Sequence, residues 1–213
     1  MVYDPDEGED NVYRTVTVSN ISPKVYVRFF MKGIRGGEVY SAFMFAHEGL
    51  PYNMAKITFV REESAQRYVH FVKNNGISYL GQRITAELDK TPTYPLSKEM
   101  EDKIFKDGHT RCVSIRGPAD EERAFDIVDH LCDRHPHLAY LAERVLRKTC
   151  HTEVILCMHS IPAAQSLIAT LKANPEFAGC EFDFAADPAA RPFPDGSEEN
   201  PRVVFSGAPP GYK

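Results

Sequence analysis

No apolar run in the sequence approaches the ~18 residues that a membrane-spanning helix needs, so membrane insertion is not expected. The acidic N-terminus, DPDEGED at 4–10, lacks both the positive charge and the apolar core of a secretory leader. Cysteine is missing until Cys112, and the five present, Cys112, Cys132, Cys150, Cys157 and Cys180, are odd in number. That usage suits buried thiols in a reducing compartment better than a disulfide framework. These absences together describe an intracellular chain, with nothing that chooses between nucleus and cytoplasm. Phosphate-cradling glycine loops, a nucleophile elbow and a supported acid pair are also missing, so no catalytic residue, cofactor or enzymatic activity is expected.

What is present is enough for a packed interior. A chain of 213 residues buries sufficient apolar surface, as one large domain or two small ones, to fold without staples. The net charge of −5 hides an uneven distribution. Residues 1–13 carry five acids and no Lys or Arg; residues 14–90 carry eleven basic groups against six acids; residues 110–184 carry eight against eleven. Phosphate neutralisation supplies most nucleic-acid affinity, so such binding belongs first to residues 14–90. The competing explanation is that these are solvated surface charges.

From Arg14 the pattern reads strand, helix, strand, strand, helix, strand. TVTVSNI (15–21) alternates as a half-buried strand does. Ser22-Pro23 is a helix-start signal before KVYVRFFMKGI (24–34), and Gly36-Gly37 ends that element. EVYSAFMFA (38–46) and MAKITFV (54–60) are strands, EESAQRYVHFVKNNG (62–76) is a helix closed by Asn-Gly, and ISYLGQRITAEL (77–88) holds a turn and a last strand. The order βαββαβ implies one antiparallel sheet with both helices on one face and the other face open.

The order then recurs. RCVSIRG (111–117), a helix over 120–135, strands over 143–149 and 153–159, a helix over 161–175 and a closing strand over 180–185 form the second copy. The connector, residues 90–110, starts with prolines and contains LSKEMEDKIFKDG, a short helix ended by Gly108. The boundaries are therefore an acidic, disordered 1–13, a first domain over 14–89, a connector over 90–110, a second domain over 111–187 and a Pro-rich tail over 188–213. Disorder is expected for most of the tail, with VVF (203–205) able to dock on a neighbouring surface. The abrupt ends suggest a piece of something longer.

On these residues the chain resembles two RNA recognition motif (RRM) domains in tandem, of a fungal type, with degenerate motifs. VTVSNI (16–21) fits the first-strand signature of that family with Thr17 in an aromatic place, and Tyr52 to Phe59 aligns with the third-strand signature. Ala55, Ile57, Phe59, Val16 and Val18 match the inward positions. Thr17, Met54 and Lys56 stand where the family keeps stacking rings. In the second copy, with Ala164 as the helix alanine, Met158 takes the terminal aromatic position, and Glu153, Ile155 and Ser114 take the platform positions. A carboxylate there repels phosphate.

The resemblance implies an α+β, ferredoxin-like fold in each domain. It also implies single-stranded RNA as the partner, bound through the first domain in post-transcriptional regulation. The candidate contacts are Thr17, Phe43, Phe45, Met54, Lys56 and Thr58, with Arg14, Arg83 and Lys90 near strand ends. Phe43 and Phe45 face outward if a bulge near Tyr40-Ser41 keeps Val39, Ala42 and Met44 inward; without it they face the core and Met44 faces out. The alternative function is a protein-interaction scaffold whose degenerate sheets bind a partner protein, through the second domain above all, or each other. GIRG (33–36) lies at a helix-to-strand turn of this pattern and is read as chance. Neither His130, Cys132, His135 and His137 nor Cys150, His151, Cys157 and His159 has the spacing of a metal site, so no metal is expected.

Overall fold

The computed structural model describes residues 3–117, 143–148, 152–193 and 203–205, with 143–148 and 203–205 present as strands. The chain forms two compact units. One combines residues 1–95 with 188–213, and the other is residues 96–187. The second unit is thus an insertion in the first, and the tail belongs to the unit where the chain began.

The first unit follows the expected order. Strands β1 (Thr15–Ile21), β2 (Val39–Ala46), β3 (Asn53–Phe59) and β6 (Thr85–Leu88) form an antiparallel sheet in the order β2-β3-β1-β6. Helices α1 (Val27–Met31) and α2 (Glu62–Asn74) pack on one face. Strict alternation buries Val16, Val18, Ala55, Ile57 and Phe59. Against them lies the α2 stripe Ala65, Tyr68, Val69 and Val72, spaced i, i+3, i+4, i+7.

Helix α1 is shorter than expected, five residues instead of eleven. The Ser22-Pro23 pair begins a hydrogen-bonded turn, Val25 N–H donating to the Ser22 carbonyl at 2.9 Å, and Tyr26 is the N-cap. That turn buries Val25 in the core. Asn20 interrupts β1 at φ 62, a conformation Asn tolerates better than most residues. Its side-chain amide donates to the Arg83 carbonyl at 2.7 Å, tying β1 to the short hairpin of β4 (Ile77–Tyr79) and β5 (Gln82–Arg83).

Gly37 lies where the Ser64 side chain leaves no room for a Cβ, and Gly36 has φ +89. The Gly-Gly pair therefore lets the chain pass α2 and enter β2.

The tail differs most from expectation. Ala189 is buried in the first unit's core cluster. Gly36 N–H donates to the Arg191 carbonyl at 3.0 Å and Gly37 N–H to the Ala189 carbonyl at 3.1 Å. Phe193 stacks on Phe71, with ring centroids 4.1 Å apart and planes 17° apart. Strand β11 (Val203–Phe205) pairs parallel with β4, so VVF does dock.

In the second unit, α3 (Lys98–Phe105) is capped by the Ser97 hydroxyl accepting from Met100 N–H, and Gly108 follows at φ +69. Strands β7 (Cys112–Arg116), β8 (Glu143–Lys148), β9 (Thr152–Cys157) and β10 (Glu181–Ala185) form an antiparallel sheet in the order β10-β7-β9-β8. With β7, β8, β9 and β10 read as strands one to four, this is the first sheet's arrangement. Helix α4 (Ile161–Ala173), capped by Ser160, buries Ala164, Leu167 and Leu171 against Val113, Ile115, Val154 and Leu156. The fold of both units is α+β and ferredoxin-like. The helix expected over 120–135 lies outside the described residues, as do His130, Cys132, His135, His137, Cys150 and His151.

An arginine occupies the same corner of each unit. Arg14 and Arg111 each precede the first strand and are each 1% exposed. Arg14 Nη1 donates to the Phe59 carbonyl and Arg111 Nη1 to the Met158 carbonyl, both at 3.1 Å. Their own carbonyls accept from the N–H groups of the same two residues. Arg14 also donates to the carbonyls of Asn11 and Tyr94. Arg111 instead holds Asp187 through both carboxylate oxygens, at 3.0 and 2.8 Å.

The expectation of unpaired thiols is corrected at one pair. Cys112 and Cys157 are direct cross-strand partners on β7 and β9, with Cα atoms 4.0 Å apart, and form a disulfide. Register brings together residues 45 positions apart, which spacing alone does not reveal.

Candidate nucleic-acid interface on the first sheet

The face of the first sheet away from its helices is built by the residues that alternate with the core. The register shift between Val39 and Ser41 is the bulge on which the outward reading of Phe43 and Phe45 depends. Beyond it Val39 and Ala42 are buried and Met44 packs against the core, while Phe43 is 51% exposed. The Phe43 and Phe45 rings lie 5.8 Å apart at a 32° tilt.

Strand pairing places one row of side chains across all four strands: Glu87 on β6, Thr17 on β1, Lys56 on β3 and Phe43 on β2. Phe45 lies opposite Met54 in a neighbouring row. Adjacent strands are about 4.8 Å apart, so Phe43, Phe45, Met54 and Lys56 form one continuous patch. Thr17 is next to it. The exposed Glu87 marks the opposite side, where a phosphate would be repelled. The usable surface is the β2–β3 half.

Lys56 is paired. Its Nζ donates to Asp89 Oδ2 at 2.7 Å, with the lysine side chain 41% exposed and the aspartate side chain 17%. Partial burial opposes ionisation of Asp89, but the Lys56 hydrogen bond and the Thr91 N–H outweigh it and hold the carboxyl below its ordinary value. Thr58 is also engaged, its hydroxyl 3.0 Å from that of Thr15, which in turn lies 2.9 Å from that of Thr93.

The remaining expected cations separate. Arg14 is buried in its carbonyl clamp and is corrected from a surface contact to a structural residue. Arg83 is exposed; its guanidinium packs at Gly76 and donates to the Lys73 carbonyl at 3.4 Å, at the C-terminal end of α2, where the helix dipole favours a cation. Lys90 is exposed just beyond Asp89. Tyr94, which the sequence reading did not single out, is 59% exposed at the Arg14 end and stacks on Tyr3 at 5.4 Å. Its only signal was an aromatic residue between two connector prolines.

The second sheet presents a different surface. Ser114 and Ile155 are each 4% exposed, and Cys112 and Cys157 are buried. The Ser114 hydroxyl donates to Glu153 Oε1 at 2.6 Å, and Glu181 and Asp183 line β10 as exposed acids. The centre is closed and the margin is acidic.

Among the described residues no group of three or more His, Cys, Asp or Glu side chains is placed to hold a metal ion. No helix among them is long and apolar enough to cross a membrane.

No family model matches the chain, and no curated protein matches it. Among solved structures it is similar to the N-terminal three RNA-binding domains of the yeast splicing factor Prp24. The identity is 14% and the TM-score 0.35, over 81% of this chain and 64% of that one. It is also similar to the first two RRM domains of the yeast poly(U)-binding protein Pub1, at 10% identity and TM-score 0.33, over 81% and 99%. RNA recognition domains 1 and 2 of Sex-lethal from Drosophila melanogaster match at 14% and 0.27, over 81% and 99%.

Proposed function

We propose that this chain binds single-stranded RNA through the β2–β3 half of its first sheet and acts in post-transcriptional regulation. One observation carries the reading: the outward pair Phe43 and Phe45 beside Met54 and Lys56. Rings absent from Thr17, Met54 and Lys56 are replaced one strand over. Base-on-ring stacking contributes about 1–3 kcal/mol per base and tolerates any base, which is the chemistry of a single-strand binder. Lys56 and Lys90 supply the cations for the backbone, and the acid at Glu87 directs the strand away from β6.

The second unit supports a second reading for itself. A sheet whose centre is buried and whose edge is acidic suits a structural or protein-facing role, with a protein as its partner.

The test is a fluorescence-anisotropy titration of the full chain with random-sequence single-stranded RNA at several salt concentrations. Salt-sensitive binding is expected, and its absence below ~100 μM would sink the proposal. Lys56→Glu should weaken binding; an unchanged dissociation constant would mean that another face is used.

A further inference from the structure

On the helical side of the first unit, away from the Phe43–Phe45 patch, the tail lies along a surface that extends past it on both sides. Phe193 covers Gly36 so closely that a Cβ on that glycine would enter the ring, and its other contact is the flat stack on Phe71. One hollow beside it is lined by Gly36, Gly37, Arg61, Ser64 and Arg67. A second, sharing Arg67 and Phe193, is lined by Gln66, His70 and Phe71. Backbone donors at Gly36 and Gly37 hold the tail's carbonyls, and the β4 edge holds β11 in parallel. Main-chain bonds, one aromatic anchor and an edge strand are the parts by which proteins recognise extended peptides.

Charge indicates what kind of peptide. The hollows carry Arg61 and Arg67, with Glu38 as the acid among their lining residues. The sequence following Phe193 reads Pro-Asp-Gly-Ser-Glu-Glu. Cationic walls around an aromatic slot are complementary to an aromatic residue followed by acids.

We propose that this surface is a docking site for an extended peptide of the form Arg-Pro-Phe-Pro followed by acidic residues, and that the chain's own residues 188–193 and 203–205 are its resident occupants. Gly36 and Gly37 bind the peptide backbone, Phe71 stacks the anchor ring, and Arg61 and Arg67 are the cations of the adjoining hollows. A tethered occupant has an effective concentration near millimolar, so a partner peptide enters when the tail is weakened or withdrawn.

The probe is a fluorescently labelled peptide with the sequence of residues 188–206, titrated into the full chain and into its Phe193→Ala variant. The variant should bind at least tenfold more tightly than the unaltered chain, because its own tail competes poorly. By hydrogen exchange, Phe193→Ala should deprotect the amides of Gly36, Gly37 and β4 while β1 and β3 stay protected, and added peptide should restore protection. Arg67→Glu in the Phe193→Ala background should weaken peptide binding, and a peptide with Ala in place of the Phe should fail. Exchange rising throughout the first unit would show that the segment is core and not a ligand, and would overturn the proposal. No peptide binding by the folded variant would overturn it too. So would a concentration-dependent dimer of the unaltered chain with exchanged tails, since the occupant would then belong to a second copy.

Discussion

The two sheets share strand order and an arginine at the same corner, and their outer faces have nothing in common. On the first, Phe43, Phe45, Met54 and Lys56 form an open patch of rings and cation. On the second, Ser114 and Ile155 are buried and Glu153, Glu181 and Asp183 supply acid. In each β-strand the two faces are written on alternate residues. The inward set, Val16, Val18, Ile57 and Phe59 against Val113, Ile115, Leu156 and Met158, specifies the architecture. The outward set differs between the two sheets while the strand order stays the same.

The corner arginines offer the sharpest way to break that comparison. Arg111→Ala would take two charged donors from the buried Asp187 carboxylate, and should cost about 3–5 kcal/mol. Arg14→Ala removes the donors to the Asn11, Phe59 and Tyr94 carbonyls and should cost about 1–3 kcal/mol. Denaturant unfolding, followed by hydrogen exchange to assign the loss to a unit, checks both. Equal costs would mean that the Asp187 pair adds nothing to the second unit's version of the clamp.

Next in size is the effect on RNA. Phe43→Ala with Phe45→Ala should weaken binding tenfold or more, at about 1–3 kcal/mol per stacked base. Asp183→Ala on the second sheet should change it by less than about twofold, as expected for an exposed, salt-screened charge on a sheet that does not bind the RNA. A reversal of these two anisotropy results would exchange the roles assigned to the sheets.

The smallest effect concerns the ion pair. Asp89→Asn releases Lys56, and the extra phosphate contact should tighten binding by about two- to fivefold at low salt and steepen the salt dependence. Since the folded Asp89 carboxyl titrates below its ordinary value, the pair's contribution to stability is complete above the unfolded carboxylate value of about 4. It is lost as pH falls through the lower folded one. The variant and the unaltered chain should therefore differ in stability at neutral pH and converge only in strong acid.

The parts legible in the sequence were those written locally. Alternation marked β1, and all four strands of the first sheet were expected in their order. The bulge near Tyr40-Ser41, posed as one of two registers, is the one that occurs, because Val39 and Ala42 reach the core only with an extra residue between them. The stop of the connector helix at Gly108 was readable too, whereas the helix start read at Ser22-Pro23 is a turn, with Tyr26 as the N-cap.

Features that depend on distant residues were not legible. Arg14 looked like a surface cation, although Arg-Thr-Val-Thr-Val and Arg-Cys-Val-Ser-Ile repeat the same arginine before both first strands. Lys56 and Asp89 meet because β6 ends beside β1, with β3 the next strand across. Arg83 is turned to the helix end by a hairpin. Phe193, in a stretch of prolines and acids, has no periodicity that would show a ring stacked on Phe71.

The insertion of residues 96–187 between the two parts of the first unit has a consequence during synthesis. Chains leave the ribosome at about 5–20 residues per second, so the β1–β6 sheet is fully translated roughly 5–20 s before the segment carrying Ala189 and Phe193 emerges. Domains usually finish folding in the order they are made; here the one begun first is completed last. During that interval the Gly36–Phe71 surface faces the cell without its own tail.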